Sequence, residues 1–329
     1  MKKTHFYAIS VLCFLVCCFV SVWLYFLFTP VILQQEGYIY YLRPGTLKKT
    51  MVAELTQQGI ISRPFLFSFF IYPQRSATLK TGEYLFPKGS TPYSIWKQIT
   101  NGTGLYYHPF PIIPGWSFSQ LRNALSQAQG LRHSTATLNN NQIMERLGYA
   151  KLGPEGEFFP DTYYYTRGIS DLIILKRAFD LMQNKLIKAW QNRASKLPYK
   201  NAYEALIAAS LIEKEAYLNS ERTVISGVLV NRLRQNMLLQ FDPTVIYGLG
   251  ERYDGKIHKE NLLDNNPYNT YIHKGLPPTP IAIPSKESIE AAMHPQQNDY
   301  LYFVAKGDGS HQFSKTLTEH NAAVFMEKK

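Results

Sequence analysis

Beyond residue 18 the chain has no cysteine: the three it contains, Cys13, Cys17 and Cys18, all fall in one apolar stretch. The remaining residues can build neither a disulfide framework nor a cysteine-based zinc site. Histidine does not fill the gap, since His311 and His320 are not spaced as a local metal pair, and no metal site is expected. Acidic residues are scarce as well: 24 Asp and Glu face 35 Lys and Arg, a formal net charge of +11. Such an excess suits either a polyanionic partner or a solvated basic surface. Extended disorder is excluded by a hydrophobic content of 45% and an aromatic content of 14%. In 329 residues that leaves room for two modest domains beyond a targeting segment.

Charge is missing altogether from Phe6 to Phe28. Crossing a bilayer takes roughly 20 apolar residues, and this run suffices. It exceeds the roughly 7–15 residues of a signal-peptide core and no small-x-small cleavage site comes after it, so residues 6–28 are expected to be a transmembrane anchor. Lys2 and Lys3 place residues 1–5 in the cytoplasm and everything after Thr29 outside. The expected location is therefore the inner membrane, single-pass, with the body in the periplasm. A chain exported this way does not meet nucleic acid. Its polyanion would be cell-wall polymer or lipid headgroups.

The body reads as α+β. Tyr38–Leu42 and Gly82–Phe86 have strand character, and helices are expected from Thr46 as N-cap to Gln58, from Pro64, and from Thr91-Pro92 to Asn101-Gly102. Trp96, at mid-helix, belongs in a core. Next come an aromatic strand over Leu105–Ile113, a helix over Ser117–Gln127, a polar surface loop over Ser134–Asn141, and a long amphipathic helix over Ser170–Arg193. Asn219 or Ser220 with Glu221 and Arg222 would cap the helix that carries Val224, Val228, Leu229 and Leu233. The tail reads as two strands around Gly307–Ser310 and a last helix.

From Tyr203 to Leu218 there is neither Gly nor Pro, which predicts a helix of about four turns. At roughly 100° per residue, Glu215 falls within an arc of Ala208, Leu211, Ile212 and Leu218, while Glu213 points the other way. An acid inside an apolar arc is either a rim carboxylate held by a nearby cation or a desolvated general acid with a raised pKa. Periodicity does not separate the two. Further on, Asp242 before Pro243 looks like a helix start. Gln240, Thr244 and Tyr247 either reach a substrate's hydroxyls and amides or satisfy buried backbone, and Asn269 and Tyr271 sit in a polar turn suited to an N-acetyl group.

The run IEKEA, with SER, VLVNRL, QFDPTVIYGLG, NPYNTY and GLPPTPI after it and EGxxFPDTY upstream, resembles the YceG-like (MltG) family of membrane-anchored endolytic murein transglycosylases. The family's EKE matches Glu213, Lys214 and Glu215, and by analogy with other lytic transglycosylases the second acid is the catalytic one. Ala216 and Thr279 depart from residues common in the family. The resemblance implies a LysM-like α+β module over residues 38–104 and a mixed α+β catalytic domain over 105–329. It implies a lyase that needs no cofactor and cuts the MurNAc-GlcNAc β-1,4 bond of nascent peptidoglycan strands, leaves 1,6-anhydromuramoyl ends and stops strand elongation. Peptidoglycan and cell-wall synthases would be its partners. Gln240, Asp242, Thr244, Tyr247, Asn269 and Tyr271 would line the substrate path. The Tyr- and Phe-rich segment Glu155–Gly168 would form a wall for a sugar ring or a buried sheet, and the resemblance, which places it beside the catalytic helix, favours the wall. A different class remains open, a non-catalytic wall-binding scaffold for synthases in which Glu215 is structural.

Overall fold

The computed structural model describes residues 2–74 and 76–327. Residue 1 of the expected tail and residues 328–329 of the expected catalytic domain lie outside them. The fold is mixed α+β, with one N-terminal helix, α1 (Lys2–Phe28), long and apolar enough to cross a membrane. The contacts divide the chain into two compact units: the first runs to His108 and includes Thr166–Gly168, the second comprises Pro109–Tyr165 and Ile169–Lys329.

In the first unit, β1 (Tyr38–Leu42) pairs antiparallel with β2 (Gly82–Phe86), Tyr40 opposite Tyr84. Helices α2 (Lys48–Gln57), α3 (Pro64–Ile71) and α4 (Pro92–Asn101) cover this ribbon. A two-stranded ribbon is marginal alone and needs such a cover. Thr91 and Ser94 form the capping box that starts α4, and Gly102, at φ 72°, ends it. The cap contributes about 1 kcal/mol. Truncating the fully buried Trp96 would cost about 3–5 kcal/mol, so burial decides the fold of this unit. The expected Thr46 cap is not used: Leu47 precedes α2 without a side-chain cap bond.

The boundary between the units falls within β3 (His108–Pro111), which is shorter than the strand expected over Leu105–Ile113, and the second unit includes α5 (Phe118–Gln127) behind a Ser117–Gln120 capping box. The expected surface loop over Ser134–Asn141 is present as turns up to Leu138 and ends earlier than expected: Asn139 accepts from the Gln142 N–H and opens α6 (Asn140–Leu147). An asparagine at the N-cap satisfies a free N–H, which is why an Asn run need not mean a loop. β4 (Thr162–Tyr165) pairs with β3, and α7 (Asp171–Gln191) packs Ile174, Ala178 and Met182 inward.

α8 (Ala202–Glu215) is the centre of this unit. Every residue from Ala205 to Ile212 is buried, so the helix is apolar all round and not along one side as its periodicity suggested. Its small residues let α9 (Arg222–Arg234), α10 (Asp242–Leu249) and α11 (Lys286–Met293) approach it. It ends at Glu215 and not at Leu218, because Ala216 turns to an extended conformation. A two-stranded β5 (Tyr302–Ala305) and β6 (His311–Ser314) and α12 (Leu317–Glu327) close the chain.

Candidate active site

Glu213 and Glu215 leave the last turn of α8 into different chemistry. Glu213 Oε2 accepts three hydrogen bonds, from Ser285 N–H (2.9 Å), Ser285 Oγ (2.5 Å) and Ser288 Oγ (2.7 Å), and Oε1 lies 3.4 Å from the Arg222 guanidinium. It is a buried anchor that ties α8 to the start of α11. Glu215 is also drawn in from solvent, yet its carboxyl makes no hydrogen bond or ion pair among the described residues. Burial raises its pKa from 4.5 to about 8, and the negative charge of Asp242 adds to the rise. The C-terminal end of a helix, where carbonyls point outward, acts in the same direction. At neutral pH the group holds a proton and has no internal partner to give it to.

Asp242 is exposed at the first turn of α10 and accepts from the Tyr271 hydroxyl at 2.5 Å. Tyr271 in turn feels the charges of Asp242, Glu215 and Arg232, and its hydroxyl pKa is raised, by burial first. Gln240, two residues before Asp242, is a non-glycine residue at positive φ (54°). That conformation carries strain and is held by Gln240 N–H donating to Thr270 O (3.1 Å) and by Arg232 Nη1 donating to its side-chain oxygen (3.4 Å). Tyr217, 81% exposed, lies just past Glu215 against the β5–β6 turn, where Gly309 leaves no room for a Cβ, 2.8 Å from the ring. Glu215, Asp242 and Tyr271 thus lie close enough to feel one another's charge, with the exposed Gln240 and Asp242 forming the rim beside the desolvated acid.

The other sequence-selected residues build the support. Thr244 is fully buried, donates to Phe241 O (2.6 Å) and meets Thr270 Oγ1 at 2.9 Å. Asn269 is buried and staples its loop by donating to Leu262 O and Asp264 O while accepting from Tyr271 N–H. Tyr247 donates to Glu155 Oε2 (3.1 Å) and packs on Tyr268. None of these three offers a free polar group to a ligand. They fix where Asp242 and Tyr271 stand. His311 also belongs to the support, with Nδ1 2.7 Å from Glu221 Oε2, a carboxylate expected to cap α9 that holds β6 instead.

Sequence reasoning missed two acids in the EGEFF run. Phe158, Phe159, Tyr163 and Tyr165 are buried, so that segment is mainly core, not the expected sugar wall; Tyr164 alone of these faces solvent. Within it Glu155 accepts from Phe118 N–H and Tyr247, and burial lifts its pKa to about 7. Glu157 accepts from Gln183 at one oxygen, has no partner at the other, and is lifted by burial to about 8. Two acids flanking Gly156 in an aromatic run were the available signal. A carboxyl with a raised folded pKa stays protonated while the unfolded chain ionises above about 4.5. Its penalty therefore grows from about pH 4.5 to 8 and is constant above. Glu157→Gln should raise stability at pH 9 relative to wild type by on the order of a few kcal/mol and change it little at pH 4. Urea midpoints at the two pH values check this, and an equal change at both would refute the protonated assignment.

The YceG-like family matches residues 40–325. An endolytic murein transglycosylase of Bacillus subtilis (strain 168) is 30% identical over 295 residues, 85% of this chain and 81% of that protein. One of Streptococcus pneumoniae (strain D39) is 26% identical over 82% of this chain but only 54% of its own length, so the chain spans about half of the streptococcal protein. The crystal structure of a yceG-like protein from Listeria monocytogenes superposes with a TM-score of 0.58 at 28% identity, covering 88% of this chain and 99% of that one. With a match across most of its length and the same fold in a solved relative, this chain belongs to the YceG-like family.

Proposed function

We propose that the chain is a membrane-anchored endolytic murein transglycosylase. It cuts the MurNAc-GlcNAc bond inside nascent glycan strands and so ends their elongation. The observation that carries this reading is the Glu215 carboxyl, desolvated, without a hydrogen-bond partner among the described residues, in the field of Asp242 and with its pKa pushed up to about 8. The relatives' names agree with it. Glu215 gives its proton to the bridging oxygen, which leaves as the GlcNAc 4-hydroxyl. The muramoyl 6-hydroxyl then attacks its own anomeric carbon, and the Glu215 carboxylate takes the proton of that hydroxyl. No water is consumed, so a second catalytic carboxylate is not required. The Asp242 charge keeps the proton on Glu215 until the leaving oxygen claims it and stabilises the cationic anomeric carbon that develops.

Asp242 also supports a second reading, hydrolysis, in which it would activate water opposite Glu215. Mass analysis of the ends released from purified strands separates the two. Anhydro ends, lighter by one water, are expected; reducing ends would sink the transglycosylase reading. Glu213 serves neither reading, since its oxygens are engaged by Ser285, Ser288 and Arg222.

The first unit is proposed to be a LysM-like module. Its separate ribbon and core support that reading, whereas the burial of Trp96 removes its largest ring as a sugar platform. The anchor, in place of a cleaved signal, is supported by Phe26 and Leu27, which are 7% and 2% exposed within that core. Cleavage after them would strip a folded unit of part of its interior.

A further inference from the structure

The inner face of α3, PFLFSFFI, supplies Leu66, Phe67 and Ile71 to the core of the first unit. Its other face is not polar: Phe65 is 73% and Phe69 50% exposed, and Tyr72, just past the helix, is 47% exposed. With Ser68 and Pro73 these rings line a shallow hollow of about 550 Å³. A helix that is apolar on every face and not covered by protein does not belong in water.

Its place on α1 indicates what covers it. Phe69 packs edge-on against Phe19 and Trp23, with ring centroids 5.6 Å apart in both cases, and Trp23 Nε1 donates to Leu66 O. A hydrocarbon layer of roughly 30 Å takes about 20 helical residues. Counted from Phe6, just past the charged start, it ends near Tyr25. At 1.5 Å per residue Trp23 then lies about 3 Å and Phe19 about 9 Å inside the outer boundary. Trp23 and Tyr25 stand at the depth that interfacial aromatics favour. Phe28, just beyond, touches Tyr93 at 5.1 Å, and Lys97 Nζ lies 5.7 Å from the same ring, at the level of lipid phosphates. Phe69, at the level of Phe19 to Trp23, is below that surface.

We propose that α3 is a membrane-seated helix, with Phe65 and Phe69 immersed among the acyl chains of the outer leaflet beside the anchor. The proposal rests on the reading of α1 as a span and adds a second contact, one that fixes the first unit against the bilayer instead of leaving it on a free stalk. Burying this face in hydrocarbon takes its apolar surface out of water and stabilises it in proportion to the area covered.

The test uses the full chain in phosphatidylethanolamine/phosphatidylglycerol vesicles with Cys13, Cys17 and Cys18 replaced by alanine. Single nitroxides are placed by Phe65→Cys, Phe69→Cys or, within the span, Phe14→Cys. The ratio of collisions with oxygen to collisions with a water-soluble nickel chelate is read at each, with free nitroxide in buffer as the aqueous standard. The ratio should be raised several-fold at 14 and also at 65 and 69. Phe69→Cys removes a ring that packs on α1, so Phe65, which faces outward, provides a reading that does not depend on that contact. An apolar ratio at 65 or 69 supports immersion. Aqueous ratios at both, with an apolar ratio at 14, overturn the proposal and leave the anchor standing; the same result is expected if the hollow is reserved for a protein, which these vesicles lack. An aqueous ratio at 14 removes the anchor, and the proposal with it.

Discussion

Replacing Glu215 by glutamine should lower turnover on glycan strands by a factor on the order of 10²–10⁴, the usual contribution of a positioned proton donor. Glutamine keeps the size of the side chain and has no proton to transfer, so the fold and strand binding should survive. Far-UV circular dichroism and sedimentation with strands check both. The loss should not be accompanied by instability. With its folded pKa at about 8, Glu215 opposes folding once the unfolded chain ionises, an effect that rises from about pH 4.5 to 8, and the neutral amide removes it. The wild-type rate gives an independent sign. The acid form is the active one for the first proton transfer, so kcat/KM should fall as pH rises through about 8. If Glu215→Gln produces anhydro ends at the wild-type rate, Glu215 is not the acid and the rim around it has another use.

What was legible in the sequence was local. The two strands of the first unit, the Thr91 and Ser117 helix starts and the Gly102 stop arise from turn and cap chemistry within a few residues, and the structure has them where the residues put them. Two lines select Glu215 over Glu213, the family resemblance and a wheel with one apolar side on a helix that runs on to Leu218. The helix is buried all round from Ala205 to Ile212 and stops at Glu215, so the premise of that wheel does not hold. The difference between the two acids comes from Ser285 and Ser288, more than 70 residues away along the chain, and no spacing within IEKEA records it. Thr244, Asn269 and Tyr247 were chosen because polar residues cluster near Asp242. Polar groups that build a tight turn and polar groups that meet a ligand have the same composition, and only their partners tell them apart.

Glu213 should be the residue whose loss costs most stability at this site. Its carboxylate answers two hydroxyls, one backbone N–H at the start of α11 and one guanidinium, all shielded from water. Glu213→Ala leaves Arg222 without its ion-pair partner and removes the acceptor that joins α8 to α11, and breaking a buried pair of this kind costs about 3–5 kcal/mol. Glu213→Gln should cost less, about 1–2 kcal/mol, because the amide oxygen can still accept from Ser285 and Ser288 while only the charge facing Arg222 is lost. Urea midpoints should keep that order at an unchanged denaturant slope. At a temperature where both variants are folded, turnover by the glutamine variant should stay within about tenfold of wild type, the residual loss reflecting a small displacement of Glu215. A glutamine variant with a normal midpoint and a loss of 10² or more would exchange the roles assigned to the two acids, because a proton donor fails without unfolding and a structural anchor cannot.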